Sequence, residues 1–205
     1  MTGSSWPQRV REAYVDGLGG TVSIEEGFGP LGVEVAADQW VEAVTLARDI
    51  LGCSFFDWLS AVDESVPGRG AGLEGGFRVV CHLAARRTGA VEHLLLGTLV
   101  PRTEPSVPSV ARVFAGARWH ERETHEMFGI DFTEDGEVLA LAPLLLPEQF
   151  EGRPLRKEFV LASRVAKAWP GAKEPGESDA SPRRSRSRRK GRPPGVPDPR
   201  DWGPR

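Results

Sequence analysis

Residues 77–100 read FRVVCHLAARRTGAVEHLLLGTLV. Two apolar runs, FRVVCHLAA (77–85) and VEHLLLGTLV (91–100), flank the polar stretch Arg86–Ala90, which predicts an antiparallel hairpin. Upstream, SFFDWLSAV (54–62) predicts a further strand. TVSIEE (21–26) and LGVEVAA (31–37) predict two short strands around a Gly-Phe-Gly-Pro turn at 27–30. Asp38 is read as the N-cap of a helix with Trp40, Val41, Val44, Ala47, Ile50 and Leu51 as its buried stripe, ending at Gly52. Beyond the proline-rich PRTEPSVPS (101–109), a helical pattern runs from about Val110 to Phe128, with Gly116 as an interruption and Gly129 as the stop. Strands and helices do not alternate regularly. The expected fold class is therefore α+β, a mostly antiparallel sheet with packed helices.

The 205 residues are 40% hydrophobic, enough for one sizeable core. The charge is unevenly placed. Residues 171–205 hold ten Lys/Arg against five Asp/Glu, a net of +5, which leaves 16 against 24, or −8, for residues 1–170. Seven of the 17 prolines also fall in that last segment, with few apolar residues, and it is expected to be a disordered basic tail. The expected division is an N-terminal segment 1–20, an α+β domain 21–132, an extended docking segment 133–170 and the tail 171–205. Cys53 and Cys81 form no ligand cluster and read as core thiols of a reducing compartment. MTGSSWPQRV has no apolar signal region, and Leu139–Pro147 is too short to span a bilayer, so the expected location is cytoplasmic.

Three motifs suggest chemistry at first sight. His120-Glu121 and His125 lie near the H-E-x-x-H pattern of zinc proteases, but that site needs histidines at i and i+4, about 40° apart around a helix. Thr124 occupies the required position, and a spacing of five turns the two side chains about 140° apart. Gly70-Ala-Gly72-Leu-Glu-Gly75 matches G-x-G-x-x-G. A dinucleotide site, however, needs a strand before the loop and a helix after it, whereas a strand is predicted to follow. SPRRSRSRRK (181–190) would neutralise phosphates, which keeps open an adaptor for RNA or an anionic surface. It lacks aromatic stacking residues, and the body is acidic.

The stretch WHERETHEMFGID (119–131) concentrates charge beside Trp119, Met127 and Phe128. On a helix, Arg118–Glu121 and Arg122–Glu126 are placed to form ion pairs of about 0.3–0.5 kcal/mol each if exposed. Arginine among aromatic side chains is enriched at protein interfaces, so an interface helix is expected.

VPSVARVFAGARWHERETHEMFGIDF (107–132), followed by LLLPEQFEGRPLRKEF (144–159), resembles the C subunit, or 30 kDa subunit, of proton-pumping NADH–quinone oxidoreductase, respiratory complex I. The first family motif is carried by Glu121, Arg122, Glu123, Glu126, Met127, Phe128, Gly129, Ile130 and Phe132. The second is carried by Leu145, Leu146, Pro147, Phe150, Glu151, Gly152, Pro154, Leu155, Arg156 and Lys157. The resemblance runs from about residue 20 to 160. It implies a non-catalytic subunit with no cofactor of its own, in a complex that uses NADH, FMN, iron–sulfur clusters and quinone. The protein would pack against the D, B and I subunits on the cytoplasmic face of the membrane. Trp119 and the motif residues would form the subunit interface. One stretch departs from the family. Residues 133–143 read TEDGEVLALAP where a G-H-P-x-L-R-R-like sequence is usual, which points to a divergent paralogue with contacts remodelled or lost there.

Overall fold

The structure, a computed structural model, describes residues 4–19, 22–27, 29–65, 75–147 and 149–159. The expected tail 171–205, residues 160–170 of the expected docking segment and Gly70–Glu74 of the glycine pattern lie outside the described residues. The elements in chain order are α1 (Trp6–Leu18), β1 (Ser23–Glu25), β2 (Leu31–Val35), a 3-10 turn (Ala37–Gln39), α2 (Trp40–Asp49), β3 (Phe55–Asp63), β4 (Phe77–Arg87), β5 (Ala90–Val100), β6 (Ser106–Pro108), α3 (Ala117–Phe128), β7 (Asp131–Glu134) and β8 (Glu137–Val138).

β4 and β5 form the expected hairpin, turning at Thr88-Gly89, with Cys81 opposite Leu96 and Leu83 opposite Leu94. The five-stranded sheet has the order β1-β2-β5-β4-β3. Every pair is antiparallel except β2–β5, whose strands are joined by the long excursion through α2, β3 and β4. The class is α+β, as expected.

Alternate residues of the strands, among them Val33, Leu59, Val79, Cys81, Leu83, Leu94 and Leu96, are buried in one core with Trp40, Ala43, Val44 and Ala47 of α2. Burial pushes the Cys53 thiol up to about 11 and also raises Cys81, which keeps both thiols protonated and apolar in character.

Residues 1–20, read from sequence only as a segment, hold a 13-residue helix. Its signals are present: Ser5 accepts from the Gln8 N–H, Pro7 opens the first turn, and Gly19 ends it in the left-handed region. Val10, Tyr14 and Leu18 are buried, and the Tyr14 hydroxyl donates to the Ala43 carbonyl at 2.8 Å, tying α1 to α2. Burial of this kind is worth about 1.5–3 kcal/mol per large side chain.

Two details of α2 differ from expectation. Asp38 does not cap it, because a 3-10 turn precedes the helix and Gln39 stands at its entry. Ile50 lies past the last helical residue and is 65% exposed, while Ala43 joins the buried stripe.

The helix expected from Val110 is also shorter and begins at Ala117. Side chains capture the backbone just upstream: the Val110 N–H donates to Glu121 and the Ala111 N–H to the Ser109 hydroxyl. The proline-rich stretch hides β6, which pairs parallel with β7. β7 in turn forms a hairpin with β8, so a second small sheet crosses the expected boundary at residue 132. Among the described residues no helix is long and apolar enough to cross a membrane.

Candidate functional site

α3 is where most of the predicted site residues lie, and its charges do something other than pair with one another. Neither Arg118–Glu121 nor Arg122–Glu126 is an ion pair in this structure. Glu121 is fully buried; its carboxylate accepts from the Val110 N–H at 2.8 Å and from the Ser109 hydroxyl at 2.8 and 3.0 Å. Burial raises its pKa by more than these donors lower it.

Glu126 accepts three consecutive backbone N–H groups, from Leu144 (3.0 Å), Leu145 (2.9 Å) and Leu146 (2.9 Å). Burial alone would push this carboxyl up. The three donors, with Arg122 nearby, outweigh it and hold Glu126 below its ordinary value. Arg122 stacks over Trp119 at 5.1 Å and donates to the carbonyls of Ala142 (2.8 Å) and Pro143 (2.6 Å). One face of α3 thus holds the chain from Ala142 to Leu146 by its backbone.

The end of α3 holds the second motif. The last four carbonyls of a helix lack intrahelical donors, and the negative end of the helix dipole favours cations. Arg153 donates to the carbonyls of His125 (3.0 Å) and Glu126 (3.2 Å), the Leu155 N–H to that of Met127 (3.2 Å), and Arg156 to that of Phe128 (2.5 Å). The His125 carbonyl also accepts from the capping Gly129 N–H at 2.7 Å, and the strap G-R-P-L-R-K satisfies the three carbonyls that follow it.

Gly129 is required twice at this junction. It caps α3 at φ 69°, and a Cβ there would lie 2.7 Å from Arg153 Nε and 2.8 Å from an Arg156 guanidinium nitrogen. Gly129→Ala is expected to cost about 2–3 kcal/mol in urea unfolding, since left-handed strain adds to displacement of both arginines. A loss below about 0.5 kcal/mol would show that the arginines relocate freely.

The far end of the strap is fastened by Asp63, which sequence reasoning misses. It closes β3, and its side chain is 2% exposed. Asp63 accepts from the Lys157 N–H (2.9 Å), the Ser65 N–H (3.0 Å) and Arg102 (3.0 Å). Burial opposes its charge, but these hydrogen bonds dominate and hold it down at about 2. Lys157 also donates to the Ser65 carbonyl, and Arg102 pairs with Glu158. No residue-type pattern links Asp63 to a position 94 residues away.

The predicted interface residues therefore separate. Glu121, Glu126, Phe128, Ile130 and Phe132 are buried within the chain, each at 6% exposure or less. Arg122, Glu123, Gly129, Pro154 and Arg156 are half-buried. Trp119, Pro147, Glu151, Gly152, Leu155 and Lys157 are exposed. His120 meets the Phe56 ring edge-on, whereas His125 contacts the Ile130 carbonyl and lies 3.3 Å from Asp131, so the two imidazoles face different neighbours. In the divergent stretch, Asp135-Gly136 forms a tight hairpin turn with both φ angles positive, and Arg112 clasps Glu134 and Asp135.

This combination of an α+β domain and a helix that binds two downstream motifs has known relatives. Residues 33–165 match the family described as respiratory-chain NADH dehydrogenase, 30 Kd subunit. The C subunit of NADH-quinone oxidoreductase from Methylobacterium radiotolerans is 38% identical over 159 residues, which cover 76% of this chain and 68% of that one. Its counterpart in a Roseiflexus species is 35% identical over 158 residues, covering 76% and 83%. Among solved structures, the fold is similar to a trypsin-resistant fragment (1–134) of Nqo5. The TM-score is 0.51 at 24% identity, over 64% of this chain and 97% of the fragment. The chain belongs to the respiratory-chain NADH dehydrogenase 30 kDa subunit family.

Proposed function

We propose that this chain is a non-catalytic subunit of a proton-translocating NADH–quinone oxidoreductase, complex I. It sits on the cytoplasmic face of the membrane and braces the D, B and I subunits where electrons pass from iron–sulfur clusters to quinone. NADH, FMN, the clusters and quinone are then handled by other subunits. Membership of the family supports the assembly. The observation that carries the bracing role is the strap: α3 holds residues 142–146 and 153–156, and Asp63 holds Lys157, through hydrogen bonds to backbone atoms. Fixing the segment in this way leaves Trp119, Leu145 and Leu155 at 60, 61 and 52% exposure on a preorganised surface. Large apolar side chains held rigidly at the surface lose little entropy on docking and are the usual anchors of an interface.

The test is gentle solubilisation of native membranes carrying a tagged copy, followed by native-gel separation and mass spectrometry. The tagged chain is expected in a large particle with the D, B and I subunits. Trp119→Ala should lower the stability of the chain by less than about 1 kcal/mol, because the ring is mostly solvated, yet deplete it from the particle. A chain that stays small and alone refutes the assembly role; a Trp119→Ala chain that rides fully in the particle refutes this anchor.

A further inference from the structure

Strand register puts Glu34, Gly97, Val80 and Ser60 in one row across β2, β5, β4 and β3, and Leu99, Arg78 and Val62 in a neighbouring one. These positions alternate with the core residues and so form the opposite face of the sheet. On it Leu99 and Val62 are 53 and 49% exposed. The face contains a groove of about 160 Å³ lined by Glu25, Gly32, Glu34, Arg78, Val80 and Leu95, with Gly97 beside them. Gly32 and Gly97 leave the space. A Cβ at Gly97 would stand 2.5 Å from the Glu34 carboxylate.

The charge in the groove does not balance. Arg78 pairs with Glu34 and donates its Nε–H to Glu64 at 3.0 Å, and Glu25 adds a third carboxylate to this one guanidinium. Oε1 of Glu34 accepts no hydrogen bond among the described residues. Burial raises the Glu34 pKa, Arg78 opposes this, and Glu25 and Glu64 raise it further.

We propose that this groove seats a lysine side chain of a neighbouring subunit. The inference rests on the reading of the chain as an assembly subunit. Val80 and Leu95 flank the unbranched stem, and the ammonium lies between Glu34 and Glu25. A compact cation with three rotatable donors suits two convergent carboxylates better than a second planar guanidinium beside Arg78. The body outside residues 171–205 carries −8, so a basic partner surface is complementary to it.

Carbodiimide treatment of the solubilised particle, which joins a carboxylate to an amine in direct contact, tests the assignment. An amide between Glu34 and a lysine of one sibling subunit is expected, mapped by mass spectrometry and lost in Glu34→Gln. Thermal melting of that variant checks that it still folds. The groove assignment is overturned if the chain travels with its siblings but Glu34 couples to none of them. It is equally overturned if Glu34 couples only to Lys157, Lys167, Lys173 or Lys190 of its own chain. Either result leaves the subunit reading standing. If the chain does not travel with siblings at all, both readings fall.

Discussion

Glu121→Ala is expected to lower the unfolding free energy by about 3–5 kcal/mol, the largest single effect of any substitution in the motif-bearing half of the fold. The side chain is fully buried, and its removal strands the Val110 N–H and the Ser109 hydroxyl and opens a cavity. Glu121→Gln keeps the shape and an acceptor for Val110, so its cost should be no more than about 1 kcal/mol. The pH dependence has a definite sign. Burial raises the Glu121 pKa above its ordinary 4.5, so folding favours the protonated form. That contribution is complete below about 4.5 and is lost as the pH rises through the raised value. Glutamine does not ionise, so Glu121→Gln should gain on the wild type between acidic and alkaline buffers. Urea unfolding of all three proteins at pH 5 and pH 8 measures this. If alanine and glutamine cost the same, the retained volume and the acceptor for Val110 carry no weight, and the whole loss belongs to the carboxylate itself.

What the sequence discloses follows from which interactions leave a trace in residue type. The β4–β5 hairpin is legible because two long apolar runs flank a short polar turn, and both strands lie in the core. The start of α3 is not. The helical pattern reaches back to Val110 with only Gly116 as an interruption, and what holds the chain out of the helix upstream of Gly116 is a buried carboxylate from a later turn that takes the Val110 N–H. β6 is hidden by its prolines, although as a short strand of a three-stranded sheet it tolerates them. α1 and the Asp135-Gly136 turn carry ordinary local signals, a serine cap and a tight-turn dipeptide, that a reading centred on long apolar runs passes over. The site divides in the same way. Both charged motifs are visible, but what joins them is not, because Arg122, Glu126, Arg153 and Arg156 bind backbone atoms. Any residue can supply a carbonyl or an N–H, so the partner leaves no mark in the sequence. Charge that reads as a docking surface for neighbours therefore holds, in large part, the chain to itself.

Asp63→Asn is expected to destabilise the protein by about 2 kcal/mol at pH 7 and to flatten its acid transition. The group is held at about 2 in the folded chain against an ordinary 3.8, so its stabilisation is present above 3.8 and lost as the pH falls through about 2. Glu126, also depressed, acts in the same direction: its contribution is present above its ordinary 4.5 and lost below that as the carboxyl protonates. These two carboxylates anchor opposite ends of the same strap, Glu126 at Leu144–Leu146 and Asp63 at Lys157. Acid should therefore loosen the strap before it unfolds the sheet, whose core is apolar. Amide hydrogen exchange between pH 5 and pH 2 should show protection falling first at Leu144–Leu146 and then at Lys157 as the pH approaches about 2, with Cys81 and Leu96 lost last. In Asp63→Asn the Lys157 amide should already exchange fast at pH 5, while the Glu126-bound amides stay protected, since the two anchors share no hydrogen bond. If strap and sheet amides lose protection together, the strap is part of the cooperative core. Its rigidity would then come from packing of the whole domain and not from the two carboxylates.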